Sequence, residues 1–268
     1  MKKILLLFSL IAAVLGSVAA QSKPTWKLES KQKKETGSYN LWVYTPDNYQ
    51  TDTLPQPLVI FLHGASLCGN NLKQVKRYGT VNAIERGLKL PAVVMAPQNP
   101  GGAWSPKNLN SMLEWAQKNY RIDSARVYVL GMSLGGYGTL DFVGTYPHKI
   151  AAAIALCGGT TLKNMGGLEE LPLWIMHGTA DRAVSVEQSK RIVRAIKHSG
   201  NDRLLRYDWI AGGSHGVLAR VFYLRKAYDW LFMHALTDSP RKVDKSIKIS
   251  KSDLKNAYAD LRKNSGKR

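Results

Sequence analysis

Val127-Tyr128-Val129-Leu130-Gly131-Met132-Ser133-Leu134-Gly135-Gly136 runs from a β-branched apolar stretch into a serine flanked by glycines, and then into a helical pattern. A serine at such a strand-to-helix turn sits on strained backbone. Glycines two positions to either side remove the side chains that would clash there. The turn lifts the hydroxyl above a sheet, and the first amides of the following helix point toward negative charge. Ser133 is therefore the candidate nucleophile, and residues 127–130 become a central strand.

Working outward, short apolar runs recur at 41–44, 58–62, 92–96, 150–156, 173–176 and 205–210. Stretches with helical spacing separate several of them: 108–119, 134–146, 187–198 and 217–236. In the first of these Leu109, Met112, Leu113 and Ala116 fall on one face. Strands alternating with helices predict an α/β fold, a mostly parallel central sheet flanked by helices in three layers. The run at 41–44 is the exception. No clear helix follows it, so an antiparallel strand is expected there. In such sheets reactive groups gather at the carboxyl ends of the strands.

A serine hydroxyl needs a base. Of six histidines, His215 lies in Gly212-Gly213-Ser214-His215-Gly216, a loop after the 205–210 strand and before the last helical stretch. His148 and His198 read as surface residues, and His234 as packed or capping. His63 and His177 each precede a glycine at a strand end, where an imidazole holds a turn. The base needs a carboxylate to fix its tautomer. Asp181 follows the strand 173–176 through His177-Gly178-Thr179-Ala180, giving the chain order serine, acid, histidine. Asp202 and Asp208 are weaker rivals, since neither leaves a core strand end so directly. Backbone amides must hold the oxyanion. Leu134 N–H, next to the serine, and Ala65 N–H, in His63-Gly64-Ala65-Ser66 after strand 58–62, are the expected donors. Trp104, on the loop after strand 92–96, is a candidate for the wall of a substrate pocket or a seal against the core.

Residues 1–20 read as a signal peptide: Lys2 and Lys3, an apolar run at 4–14, then Ser17, Ala19 and Ala20. Residues 21–240 form the expected catalytic domain, and 241–268 a basic tail or short helix carrying Leu254, Tyr258 and Leu261 on one stripe. No later apolar run has the length of a membrane helix, so export to a periplasm or to the medium is expected, with no span in the mature chain. The formal net charge of +19 favours polyanionic surfaces. No nucleic-acid reading motif accompanies it, so no nucleic-acid partner is expected. Cys68 and Cys157 match no zinc or redox spacing; export permits a disulfide between them, and two packed free thiols are the alternative.

On the Leu62-His63-Gly64 loop, the Gly131-to-Gly136 elbow, the turn from His177 to Asp181 and Ser214-His215-Gly216, the chain resembles the carboxylesterase/phospholipase-type branch of the α/β-hydrolases. It is also similar to polyhydroxybutyrate-depolymerase-like and feruloyl-esterase-like bacterial enzymes. The resemblance spans residue 41 to about 236 and leaves the basic tail outside it. It implies hydrolysis of carboxylic esters without metal or organic cofactor. The expected substrates are small acyl esters of carbohydrates, acetyl or feruloyl, on plant polysaccharide or oligosaccharide. No insertion at 157–172 is long enough for a large lid, which argues against a lipase. A serine peptidase or an acyltransferase shares the same residues. A non-catalytic polysaccharide-binding protein on a hydrolase scaffold is the reading from another class.

Overall fold

The computed structural model describes residues 26–265; the expected signal peptide lies outside them. Eight strands form one sheet: β1 (Lys27–Lys31), β2 (Leu41–Thr45), β3 (Gln56–Leu62), β4 (Val93–Pro97), β5 (Ile122–Met132), β6 (Ala152–Leu156), β7 (Leu173–Gly178) and β8 (Leu205–Ile210). Their order is β1-β2-β4-β3-β5-β6-β7-β8. The strands from β4 to β8 pair in parallel, whereas β2 is antiparallel to both β1 and β4.

The central strands are apolar on both sides because helices cover both faces. Along β3, Leu58, Ile60 and Leu62 pack on one face against Leu109, Met112, Leu113, Ile192 and Ile196. Val59 and Phe61 pack on the other, against Phe222, Tyr228, Trp230 and Leu254. The first face carries α3 (Pro106–Asn119), α4 (Leu134–Thr145) and α5 (Val186–Ser199). Local chemistry starts these helices where they begin. The Ser105 hydroxyl accepts from Asn108 N–H with Pro106 at the first turn, and Ser185 caps α5, which ends on Gly200 at φ 80°. The other face carries α2 (Thr80–Glu85), α7 (Arg225–Phe232) and α8 (Lys251–Ser265), while the short α1 (Lys33–Thr36) lies beside α3. The layers are thus helix, sheet, helix, as the alternation of patterns predicts.

Two elements differ from the sequence expectation. The stretch 217–236 is not one helix: α6 (His215–Leu218) passes into a 3₁₀ segment, Ala219–Tyr223, and α7 follows after Leu224 in extended conformation. Val221, Phe222, Tyr223 and Leu224 are all buried. Four consecutive side chains cannot share one stripe of a straight helix, so the backbone breaks to bury them all. The other is β1, Lys-Leu-Glu-Ser-Lys, which is mostly exposed and lacks the apolar alternation that marks a strand; pairing to β2, Leu28 against the core and a bond from Tyr120 to Glu29 hold it.

Residues beyond 240 belong to the packed body. Ile249, Leu254, Ala257 and Leu261 are buried in the core under α2 and the 3₁₀ segment. Tyr258 meets Tyr223 edge-on at 4.6 Å. Arg241 donates to the carbonyls of Glu170, Ile150 and Ala151. No helix among the described residues is long and apolar enough to cross a membrane.

Candidate active site

The segments that follow β3, β5 and β8 converge on one cavity of about 450 Å³, lined by Gly64, Ala65, Ser66, Tyr78, Met132, Ser133, His215, Gly216 and Ala219. Ser133 stands between β5 and α4 at φ 59°, ψ −125°. A residue with a side chain pays of order 1–3 kcal/mol for such backbone, which persists only where the surroundings hold it. Here they do: Ser133 N–H donates to Leu156 O at 2.9 Å, and Ser133 O accepts from Tyr137 N–H at 3.0 Å. The flanking glycines let the helix meet the sheet. A Cβ on Gly131 would lie 2.3 Å from Gly135 O, and one on Gly135 only 1.9 Å from Leu62 O.

His215 opens α6 and reaches Asp181 from the side. Its Nδ1 is 2.7 Å from Asp181 Oδ2. A carboxylate only accepts, so Nδ1 carries the proton and Nε2 keeps its lone pair for the cavity. Asp181 is held more tightly still. Its Oδ1 accepts from Ala183 N–H and Val184 N–H, both at 2.9 Å. Burial alone would raise the Asp181 carboxyl, but bonds from Val184 N–H, His215, Ala183 N–H and the Cys157 thiol outweigh it and hold it below its ordinary value. Ser133 and His215 line the same cavity without a direct hydrogen bond between them among the described residues. Such contacts commonly tighten only around a substrate.

The other histidines are occupied. His63 is fully buried, with Nδ1 against Gly64 O at 2.7 Å and Nε2 accepting from Asn99 N–H at 3.0 Å. Burial pushes its pKa down to about 4, with the Gly64 carbonyl opposing the change. His177 is buried too and meets Ser189 Oγ at 2.7 Å and Val184 O at 2.9 Å, with Asp181 Oδ2 at 3.3 Å. Burial lowers its pKa despite those partners. His234 is packed against Trp230, while His148 and His198 are exposed. Asp208 bonds Trp174 Nε1 and Arg206, away from His215.

Leu134 is the first residue of α4, and Ala65 the first of a 3₁₀ turn, Ala65–Leu67. Amides at such starts have no acceptor within their own turn, and Ala65 opens onto the cavity beside Ser133.

Trp104 requires a correction. It is 2% exposed and absent from the cavity wall. Its ring packs on Tyr39 at 5.4 Å and His63 at 5.0 Å, and its Nε1 donates to His63 O. It seals the loop against the core, because a large apolar ring with a single donor is most stable buried with that donor satisfied. Two residues at the site escaped the sequence. Tyr78 lies in an aperiodic stretch with no motif around it, so nothing marks it. Cys157 follows β6 at φ 47° and its thiol bonds Asp181; its position after an apolar strand was the available signal. Both cysteines are free. Cys157, Asp181 and His215 place one ligand atom each within 4.8 Å of one another. Burial pushes the Cys157 thiol far up, which opposes the thiolate a metal would need.

No protein-family model matches the chain. Among solved structures it is similar to a thermostable esterase, with a TM-score of 0.63 and 26% identity, covering 79% of this chain and 63% of that one. The fold is that of the α/β-hydrolases. Among curated proteins the chain is 27% identical over 165 residues to a bifunctional acetylxylan esterase/xylanase from Neocallimastix patriciarum, covering 58% of this chain and 23% of the relative. It is 25% identical over 169 residues to acetylxylan esterase A from Aspergillus ficuum, covering 57% of this chain and 53% of the relative. The chain therefore matches about a quarter of the first relative's length and about half of the second's.

Proposed function

We propose that the chain is an exported serine carboxylic-ester hydrolase acting on small acyl esters of carbohydrates, acetyl or feruloyl. The observation that carries this is the convergence on one cavity of a hydroxyl on strained backbone, Ser133, and an imidazole, His215, whose Nδ1 is bonded to buried Asp181. The similarity to acetylxylan esterases supports the choice of substrate class.

In the proposed mechanism, His215 Nε2 takes the Ser133 proton as Oγ bonds to the ester carbon, and the carbonyl π pair moves onto oxygen. Ala65 N–H and Leu134 N–H hold that oxyanion. As it collapses, the bond to the alkoxy oxygen breaks and His215 returns the proton to the departing alcohol. Water then attacks the acyl-enzyme, giving its proton to His215, and the acid leaves as Ser133 is reprotonated. Asp181 stabilises the imidazolium formed in each half and does not itself take the proton. The apolar run and small residues at 1–20 support export.

The test is a panel: acetate release from acetylated xylan, ferulate from methyl ferulate, and p-nitrophenyl esters of increasing acyl length. Hydrolysis of the acetyl or feruloyl members by the parent, and its loss in Ser133→Ala, is the expected result. A folded parent inactive on every ester, or a Ser133→Ala variant of equal activity, contradicts the proposal.

A further inference from the structure

Tyr78 is half-buried in the wall of the same cavity, and its hydroxyl oxygen accepts from the loop that follows β3. Gly64 N–H donates to Tyr78 Oη at 3.0 Å. The exposed Ser66 Oγ also donates to it, at the longer distance of 3.5 Å. A phenol oxygen that accepts one hydrogen bond still has its own proton to give, and accepting makes it a better donor. The place of the hydroxyl relative to Ser133 follows from the loop. A Cβ built on Gly64 would lie 2.9 Å from the Tyr78 hydroxyl and 3.4 Å from Ser133 Cβ. The hydroxyl and the nucleophilic side chain thus flank a single point, on the residue next to Ala65, whose amide opens onto the cavity.

We propose that Tyr78 is a catalytic residue whose O–H donates a third hydrogen bond to the oxyanion, beside the amides of Ala65 and Leu134. This rests on Ser133 being the nucleophile. When Oγ bonds to the carbonyl carbon, the oxygen that gains the electron pair can accept three donors. The phenol supplies one and keeps its proton throughout. By accepting from Gly64 N–H it also holds the loop that presents Ala65 N–H, so one side chain fixes one donor and is another. The ground-state carbonyl carries less charge than the oxyanion, so the contact strengthens as the bond to Ser133 forms, and the effect belongs in kcat rather than KM.

The experiment measures steady-state kinetics on p-nitrophenyl acetate and inhibition by a small alkylboronic acid, which forms a tetrahedral adduct on serine. The parent, Ser133→Ala, Tyr78→Phe and the parent with 3-fluorotyrosine at position 78 are compared at a pH where both phenols are protonated. Tyr78→Phe is expected to lower kcat about 100-fold, within the range for loss of one oxyanion donor, with KM little changed and boronate inhibition weakened in parallel. The fluorinated ring separates donor from brace: fluorine strengthens the hydroxyl as a donor and weakens it as an acceptor from Gly64 N–H. A rise in kcat with 3-fluorotyrosine supports donation; a fall, or activity of Tyr78→Phe within threefold of the parent, overturns it. If Tyr78→Phe does not fold, the fluorinated protein still decides. Equal activity of Ser133→Ala and the parent, by contrast, removes the nucleophile on which this donor depends.

Discussion

His215 Nδ1 lies 2.7 Å from Asp181 Oδ2, and the Asp181 side chain has no exposed surface while that of His215 is 25% exposed. The carboxylate is fixed from below by Ala183 and Val184 amides, and the imidazole stands at the water's edge. Anchoring one face of the ring decides which nitrogen stays basic. With Nδ1–H committed to Asp181, Nε2 is the site that can accept a proton in the cavity.

Asp181→Asn should therefore keep the fold and lose the tautomer. An amide can present its N–H to Nδ1 and turn the imidazole so that Nε2 carries the hydrogen. The expected loss is roughly 10³- to 10⁴-fold in kcat, measured on p-nitrophenyl acetate beside an unchanged far-UV spectrum. A loss below tenfold would leave the tautomer argument without support.

The elbow makes a separate demand on packing. A methyl at Gly135 would meet the Leu62 carbonyl at 1.9 Å, backbone against backbone, which no rotamer relieves. Gly135→Ala should cost about 3 kcal/mol or more by forcing β3 and α4 apart. A urea midpoint within error of the parent would show that the two elements can separate freely.

Acid should weaken the fold through its buried histidines. His63 Nε2 accepts from Asn99 N–H, so protonating that nitrogen sets two N–H groups against each other. Its pKa is lowered to about 4 in the fold, against an ordinary value of 6.5. Between those values the unfolded chain binds the proton and the folded chain does not, so stability falls as pH drops from 6.5 to 4. His63 alone accounts for roughly 3 kcal/mol across that window, and His177 and His234, also lowered by burial, act in the same direction. Thermal midpoints from pH 7.5 to 4.5 check this; a flat profile, or an unchanged slope in a folded His63→Gln variant, would contradict it.

The sheet was legible because its central strands are buried on both faces and read as unbroken apolar runs. The residues now proposed to act were legible because each leaves a strand end through glycine or a tight turn. What stayed hidden has physical causes. The strand at 27–31 is charged and exposed, and its identity comes from pairing with Leu41–Thr45 rather than from its own pattern. The break at Leu224 answers to four neighbouring buried side chains, a demand of the core that local propensity does not encode. Trp104 sat on a functional-looking loop, but its contacts with Tyr39 and His63 turn it inward. Tyr78 reaches Gly64 across fourteen positions, a contact only the fold creates.

The segment beyond 240 is expected to matter for stability. Leu254, on α8, is buried against the 3₁₀ segment, and its carbonyl accepts from Arg220. Leu254→Ala should cost about 2–4 kcal/mol, read from chemical denaturation of the full chain. A change under 0.5 kcal/mol would mean that α8 adds little to the core.

The most direct measurement is reaction with a fluorophosphonate followed by mass spectrometry of the digested protein. An adduct on the peptide carrying Ser133, absent in Ser133→Ala and in protein denatured before labelling, is the predicted result. A folded, soluble protein that stays unmodified, or one modified at a different serine, would contradict the account.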